Sequence, residues 1–338
     1  MTEPCKRRGT MKATRCRLAL VCGVAAFVLA GGARAQESAA AYPSKNFRFI
    51  VGFTAGGGPD ATSRRLAQGL VEKTGRNVVV DNRPGATGLI GMGELARSNP
   101  DGYTIGIINM ASPVIQVMMA KPPVDIGRDL APVAQLFRQY TVLVVRPELP
   151  VKSPRDLIEM IRAAPGAHSF ASGGNGTPAH LAGELFIRSM GLKANHVPYK
   201  GMSIGVTDLI RGDVLFACSV IANVSSLIQS GRLKALGVLG PQRIAAFPDL
   251  PSFVELGLPD VDVSSWAGVV APAGTPVALR EKLGRILVEV ADDPVHAKGF
   301  AALGLERSQA GHEALGVLIR SDLVRWARFV KETGIRMD

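Results

Sequence analysis

Short runs of β-branched residues alternate with amphipathic helical stretches from Phe47 onward, and this alternation limits the possible folds more than any other feature of the chain. The pattern is typical of strands joined by helical crossovers in a mostly parallel sheet, which predicts an α/β protein. The predicted strands are Phe47–Gly52, Asn77–Asp81, Thr104–Asn109, Thr141–Arg146, Ser169–Ala171, Asn195–Pro198, Val214–Cys218, Lys234–Leu239 and Ser265–Ala271.

Three predicted helices start in the same way, with a hydroxyl residue followed by a proline at the first helical position. These starts are Ser153-Pro154, Thr177-Pro178 and Thr275-Pro276, and Asp156 completes an acidic capping box with Ser153. The last helix carries apolar residues at steps of three and four. We expect this stripe to be buried, and its members are Leu315, Ile319, Leu323, Trp326 and Val330.

Residues 1–35 differ in character from the rest of the chain. Basic residues come first, an apolar run extends from Leu18 to Ala30, and the small-x-small sequence Ala33-Arg34-Ala35 ends the segment. This order is that of a secretory signal peptide, and the apolar run is short for a bilayer span, which needs about 20 residues. We therefore expect export to the periplasm with cleavage after Ala35.

Removal of residues 1–35 changes both the charge and the cysteine count. It leaves 32 basic and 27 acidic residues, a net charge of +5 instead of +11. This mild excess is not gathered into basic blocks, so it excludes a nucleic-acid footprint but suits an anionic ligand. Cys218 is the one cysteine left, which excludes an intramolecular disulfide, and burial as an inert thiol is the expected state.

The chain that remains without residues 1–35 is longer than a single hydrophobic core usually stabilises. This length predicts two domains. We place the crossings between them at two strands, one after Gln139-Tyr140 and one at Ser265–Ala271. Residues 36–140 with 265–338 then form a discontinuous first lobe, and residues 141–264 form the second. Two crossing segments make a natural hinge.

Two glycine-rich loops carry the main functional signal, because each follows a predicted strand and opens a predicted helix. They span Phe53–Asp60 and Ala171–Pro178. Glycines let the backbone approach a ligand closely, and the unpaired N–H groups and dipole of a helix N-terminus attract an anion. The alternative is that both are ordinary strand-to-helix turns. One loop in each proposed domain favours a shared site in a cleft at the carboxyl ends of the strands.

Catalytic and cofactor motifs are scarce. Neither loop fits the dinucleotide or phosphate-loop patterns, the histidines show no metal-binding spacing, and no Gly-x-Ser-x-Gly elbow occurs. Nothing in the neighbouring sequence marks a base for Ser172. We therefore expect a binding protein without cofactor or metal, and no enzyme.

For each of three polar residues near the loops, two roles are possible, either ligand binding or an ordinary structural or solvent-exposed role. His180 lies in the first turn of its helix and faces a ligand or packs as a neutral histidine. Asp60 meets a ligand ammonium or a water, or caps its own helix. Lys200 lies where a strand ends near the cleft, or is a solvated lysine.

Together, ordered segments across the mature chain resemble the Bug family of periplasmic receptors, which serve tripartite tricarboxylate transporters. The resemblance lies in Tyr42-Pro43, Gly56–Asp60, Asp81–Ala86, Pro100–Thr104, Phe170-Ala171-Ser172 with Gly176 and His180-Leu181, His196–Gly201, Gly231–Leu236, and Trp266 with Ala271–Pro276.

This resemblance implies a type II, Venus-flytrap fold with two lobes, in which both loops grip one carboxylate of the ligand. It implies citrate-like tricarboxylates, dicarboxylates, acidic amino acids or aromatic carboxylates as the ligand classes. The implied partners are a membrane transporter with one large and one small subunit, and in some members a sensor kinase. We expect a monomer that binds no nucleic acid.

The expected ligand contacts come mainly from the two loops. They are Phe53, Thr54, Ala55, Gly56, Gly57, Gly58 and Asp60 from the first, Ser172, Gly173, Gly174, Asn175, Gly176, Thr177 and His180 from the second, and Ser112, Tyr199 and Ser219.

The chain departs from the family pattern at two places. Gly52–Ala55 replaces a proline-rich approach to the first loop, and Leu215 and Ser219 stand where many members carry acidic residues. The second departure argues against an amino-acid ligand. The sequence predicts an uptake receptor for a small carboxylate, such as a dicarboxylate, a tricarboxylate or an aromatic carboxylate; the alternatives are a sensing subunit for a kinase and an exported hydrolase or isomerase.

Overall fold

The computed structural model describes residues 38–259 and 261–334, so the predicted signal peptide lies outside the described residues. Both sheets lie within the compact unit that begins at Tyr42. The strands are β1 (Phe47–Val51), β2 (Val78–Asn82), β3 (Thr104–Asn109), β4 (Leu130–Gln139), β5 (Thr141–Val145), β6 (Ser169–Ser172), β7 (Asn195–Pro198), β8 (Phe216–Val220), β9 (Lys234–Val238), β10 (Ser265–Pro272) and β11 (Glu306–Ala310).

Eleven helices join these strands in the described part of the chain. They are α1 (Gly58–Thr74), α2 (Leu89–Ala96), α3 (Ala111–Met118), α4 (Ile126–Asp129), α5 (Pro154–Ala163), α6 (Pro178–Ser189), α7 (Met202–Arg211), α8 (Ser225–Gln229), α9 (Val277–Asp292), α10 (Pro294–Ala302) and α11 (His312–Thr333). None of those in the described ranges is long and apolar enough to span a bilayer.

The strands form two sheets, one of six strands in the order β11-β4-β10-β3-β1-β2 and one of five in the order β7-β6-β8-β5-β9. The chain leaves the first sheet after Gln139, enters the second at Thr141 and returns to the first at Ser265. Two lobes of α/β type result. Backbone and side-chain bonds tie the crossings together, since Ile221 N–H donates to Tyr140 O and the Thr141 hydroxyl donates to Val263 O.

The expectation of mostly parallel sheets is wrong, because both sheets are mixed. In the first, β1 pairs in parallel with β2 and β3, whereas β10 runs antiparallel to β3 and β4. In the second, β5 runs antiparallel to β8 and β9. A strand that enters from the other lobe need not follow the direction set by helical crossovers.

Two strands that the sequence did not predict, β4 and β11, lie side by side in the first sheet. The β4 sequence has Pro132 near its start and no β-branched run, and the edge strand β11 has an almost wholly polar sequence. Polar edge strands limit pairing with other chains, so their composition hides them from a search for apolar alternation.

Two of the three predicted helix caps are confirmed. Ser153 and Asp156 form the capping box of α5, and Thr177 caps α6. The third is wrong: the Thr275 hydroxyl donates to Pro272 O at 2.7 Å, and α9 begins at Val277. The predicted stripe of the last helix is confirmed in part, since Leu315, Ile319 and Trp326 are buried whereas Leu323 and Val330 are half-buried.

One hydrophobic cluster extends through both lobes. It joins Ile50 and Trp326 of the first lobe to Phe170 and Phe216 of the second. A second cluster, which includes Val142 and Leu209, fills the other side of the second sheet. The loops at the carboxyl ends of β1, β3 and β6 are therefore carried by well-packed strands.

Candidate ligand-binding site

The first glycine-rich loop joins β1 to α1 and is held by the carboxylate of Asp60, which is 2% exposed. One oxygen accepts hydrogen bonds from Gly56 N at 2.8 Å and Arg64 Nε at 2.9 Å. The other accepts from Asn82 Nδ2 at 2.9 Å. Burial alone would raise the pKa of Asp60, but the bonds from Arg64, Gly56 and Asn82 outweigh it and hold the pKa below its usual value.

The hydrogen bonds to the Asp60 carboxylate do not use all the backbone N–H groups at the start of α1. The N–H of Gly57 donates to Thr54 O, and Ala61 N–H begins the bonding of the helix. The N–H groups of Gly58 and Asp60 have no acceptor within the described residues. Together with the helix dipole they form an anion site that needs no cationic side chain.

The second glycine-rich loop, between β6 and α6, uses several of its own N–H groups. Gly174 N–H donates to Ser172 Oγ at 3.0 Å, Gly176 N–H to His180 Nδ1 at 3.1 Å, and Thr177 N–H to Gly174 O at 3.3 Å. These bonds fix the shape of the loop. Contact between this loop and a ligand stays a prediction, and fewer backbone donors are free for it than the sequence suggests.

The side chains of two stacked histidines hold this loop in place. The rings of His180 and His196 are stacked with centroids 4.0 Å apart and an interplanar angle of 18°. Burial lowers the pKa of each to about 4, and for His180 the neighbouring His196 adds to the effect. Both rings are therefore neutral at pH 7, and His180 carries its proton on Nε2 because Nδ1 accepts from Gly176.

A histidine does lie beside Ser172, although nothing in the neighbouring sequence marks one, and the Ser172 hydroxyl also lies within hydrogen-bond distance of Gly174 O at 3.2 Å. His196 Nε2, from β7, is 2.7 Å from Ser172 Oγ. That hydroxyl is 0% exposed and already accepts from Gly174 N–H, so its role in this structure is to shape the loop. The contact joins residues 24 positions apart on neighbouring strands, which local sequence could not reveal.

Three further residues that the sequence predicts as ligand contacts carry a hydroxyl group, and they differ in the hydrogen bonds that this group makes. Tyr199 OH donates to Asp208 Oδ2 at 2.8 Å. Burial raises the pKa of Tyr199 to about 12, and the hydrogen bond to Asp208 and its negative charge add to this effect. Ser219 Oγ donates to Val220 O at 3.2 Å. Ser112, in the first turn of α3, is 1% exposed and its hydroxyl has no partner among the described residues.

The second loop lies directly against α3 of the first lobe. A Cβ added at Gly176 would stand 3.0 Å from Ile115 Cδ1 and 3.5 Å from Met118 Sδ. Gly176 also has φ +73°, so the position favours glycine for both conformation and space. Lys200, the alternative contact near this edge, is exposed.

A cavity of about 90 Å³ opens beside the start of α1. Gly58, Pro59 and Thr62 form one side, and the ends of β3, β4 and β10 form another. Besides Thr62, the strand ends contribute the polar side chains of Asn109, Gln139 and Ser265, which sequence reasoning did not identify as site residues. They come from three distant stretches, so only the strand order brings them together.

Cys218 is buried in β8, and burial raises the pKa of its thiol, as expected for an inert cysteine. No group of three or more potential metal ligands occurs among the residues that the structure describes.

Known proteins match this chain over most of its length. The model of the tripartite tricarboxylate transporter family receptor matches residues 62–335. Protein BugT of Bordetella pertussis is 36% identical over 95% of this chain and 98% of its own. A solved periplasmic transporter is 33% identical with a TM-score of 0.74, covering 88% of this chain and 100% of its own.

A structure of an R. palustris protein with adipate is 28% identical, with a TM-score of 0.74 over 87% of this chain and 99% of that one. The family match runs from within α1 to the end of α11 and so extends over both lobes. The chain therefore belongs to the receptor family of the tripartite tricarboxylate transporters.

Proposed function

We propose that this protein is a periplasmic receptor that captures a small carboxylate in the cleft between its lobes and delivers it to a tripartite transporter. The observation that carries the proposal is the start of α1, where Gly58 and Asp60 offer unpaired N–H groups on a loop clamped by the Asp60 side chain. A preorganised donor set binds a carboxylate with little cost of ordering. The related protein solved with adipate supports a carboxylate as the ligand class.

The capture step uses the two crossings as a hinge. Residues 36–140 with 265–338 would move as one lobe and residues 141–264 as the other, with Tyr140 and Ser264 at the crossings. Closure brings the second loop over an anion that sits at the start of α1. Ser112, Ser172–Thr177, His180, Tyr199 and Ser219 are the proposed contacts or supports from the surrounding walls, together with Phe53–Gly57.

Export depends on the N-terminal segment. We infer a signal peptide that is cleaved after Ala35, which places the mature receptor in the periplasm as a monomer. Its partner is the large and small membrane subunits of the transporter. A sensor kinase as a further partner is an alternative that co-purification with each membrane protein distinguishes.

A thermal-shift screen of residues 36–338 tests the proposed ligand class. Mono-, di- and tricarboxylates, acidic amino acids and aromatic carboxylates are compared with neutral sugars. A ligand at 100 times its dissociation constant adds about 2.7 kcal/mol to the free energy of unfolding. Shifts with sugars alone would contradict the proposal.

A second candidate, an exported hydrolase, is favoured by one observation, the 2.7 Å contact between Ser172 and His196. An activated ester provides the test. We expect the wild type and Ser172→Ala to release the alcohol at equal rates, because the hydroxyl is enclosed. Acylation of Ser172 in the wild type, detected by mass spectrometry, would favour the hydrolase.

A further inference from the structure

The cavity beside α1 shares a wall with the anion site. Gly58, whose N–H is one of the free donors, also lines the cavity. A carboxylate held at that N–H therefore has the rest of its ligand next to the cavity. This step rests on the proposed function, since it takes the carboxylate position from it.

The cavity also borders the second lobe. Leu303 and Leu305 line it, and Gly304 between them abuts Ala222 of the second lobe. A Cβ at Gly304 would stand 2.5 Å from Ala222 Cβ. The segment that covers the cavity thus belongs to the contact between lobes, as a wall of the capture site would.

The charge of the lining restricts what can enter. Among the described residues that line the cavity, none has a charged side chain. Behind the Trp266 wall, the Asp322 carboxylate accepts a hydrogen bond from Trp266 Nε1 at 2.6 Å. A second carboxylate on the ligand would therefore lose its hydration without meeting a cation, which is costly.

The lining does offer uncharged hydrogen-bonding groups. Ser265 is 7% exposed, and its hydroxyl has no hydrogen-bond partner within the described chain. Asn109 uses its side-chain oxygen to accept from Ala111 N–H at 3.1 Å, which leaves its amide donors free. Gln139 uses its amide nitrogen to donate to Leu303 O at 3.3 Å, which leaves its oxygen as an acceptor.

From this lining we propose that the cavity receives the body of the ligand, and that the protein selects small monocarboxylates whose body carries a hydroxyl or carbonyl group. A dry cavity of 150 Å³ holds benzene, so about 90 Å³ accommodates on the order of three or four carbon-sized groups. Ser265, Asn109 and Gln139 are the specificity-determining residues.

Calorimetric titration of residues 36–338 with a four-carbon series tests this proposal. The series is butyrate, 3-hydroxybutyrate, succinate and malate, which vary the hydroxyl and the second carboxylate independently. We expect 3-hydroxybutyrate to bind roughly tenfold more tightly than butyrate, and both dicarboxylates to bind at least about tenfold more weakly than 3-hydroxybutyrate. Binding of succinate or malate as tight as that of 3-hydroxybutyrate, or equal affinity for butyrate and 3-hydroxybutyrate, would overturn the proposal.

Two variants assign the selectivity to the cavity. Ser265→Ala should remove most of the advantage of 3-hydroxybutyrate over butyrate. Ala267→Leu, which narrows the cavity, should weaken both ligands but not acetate. An unchanged ratio in a folded Ser265→Ala protein would place the ligand body elsewhere.

The experiments distinguish a failure of this inference from a failure of the proposed function. If the dicarboxylates bind well and the first-loop variant Gly57→Leu abolishes their binding, the receptor function stands and the inference is wrong. If no carboxylate of any size binds, both are wrong.

Discussion

The imidazole rings of His180 and His196 lie 4.0 Å apart in a stacked pair, and through Gly176 N–H and Ser172 Oγ they hold two points of the second glycine-rich loop. Both rings must be neutral to keep this arrangement, because His180 Nδ1 is an acceptor and two stacked cations would repel. The loop that faces α3 is therefore supported by groups whose protonation would disrupt it.

The pKa of each histidine, lowered from 6.5 to about 4, predicts a pH dependence of stability. Between these values the unfolded chain binds protons that the folded chain does not, so the free energy of unfolding falls as pH drops from about 6.5 to about 4 and is independent of this pair above that range. Denaturant unfolding at several pH values measures the slope. A slope unchanged in the His180→Gln, His196→Gln double variant would contradict this assignment.

Removal of the Asp60 carboxylate should loosen the first loop. Asp60→Ala leaves Gly56 N–H without its acceptor and the Asn82 amide with Phe53 O alone, which we expect to lower the free energy of unfolding by about 1–3 kcal/mol. Ligand affinity should fall about tenfold or more as the donors lose their fixed positions. Denaturant unfolding and calorimetry measure the two effects.

Arg64→Gln is the matched control for that variant. Its side chain is 53% exposed and meets the same carboxylate, so the loss should be about 0–1 kcal/mol with little change in affinity. Equal effects of Asp60→Ala and Arg64→Gln would show that the ion pair, and not the backbone clamp, supports the loop.

The thiol of Cys218 should be unreactive in the native protein. Burial raises its pKa, so almost no thiolate is present near neutral pH, and the side chain is 0% exposed. A disulfide reagent should release its chromophore only after unfolding in guanidinium chloride. Because residues 36–338 contain one cysteine, rapid stoichiometric reaction of that protein in buffer would refute the packing described for β8.

Strands with apolar, β-branched sequences could be predicted from the sequence because their composition follows from burial. Phe47–Val51 and Thr104–Asn109 are of this kind. The polar edge strand Glu306–Ala310 carries no such signal, and Val214–Cys218 was placed two residues early because its apolar run starts before the pairing does. Strand direction was also beyond the sequence, since it depends on which lobe the chain enters from.

The binding site likewise combines features that local sequence predicts with contacts that it does not. Local conformation marks the two loops, since positions such as Gly56, with φ +83°, and Gly176, with φ +73°, favour glycine. The partners that fix those loops are remote: Asn82 lies 22 residues after Asp60, and His196 lies 24 after Ser172. The cavity draws on β3, β4 and β10, and no local pattern relates Asn109 to Gln139 or Ser265.

Titration of the best carboxylate into Gly57→Leu tests the capture site most directly. Gly57 and Gly311 are both helix N-cap glycines with extended backbone, and neither meets a close obstacle to a side chain. Gly311→Leu, at the start of α11, is therefore a control with the same change of residue. We expect Gly57→Leu to weaken binding about 100-fold or more by covering the donors of α1, and Gly311→Leu to bind as the wild type does. Equal affinity in all three proteins would contradict a carboxylate site at the start of α1.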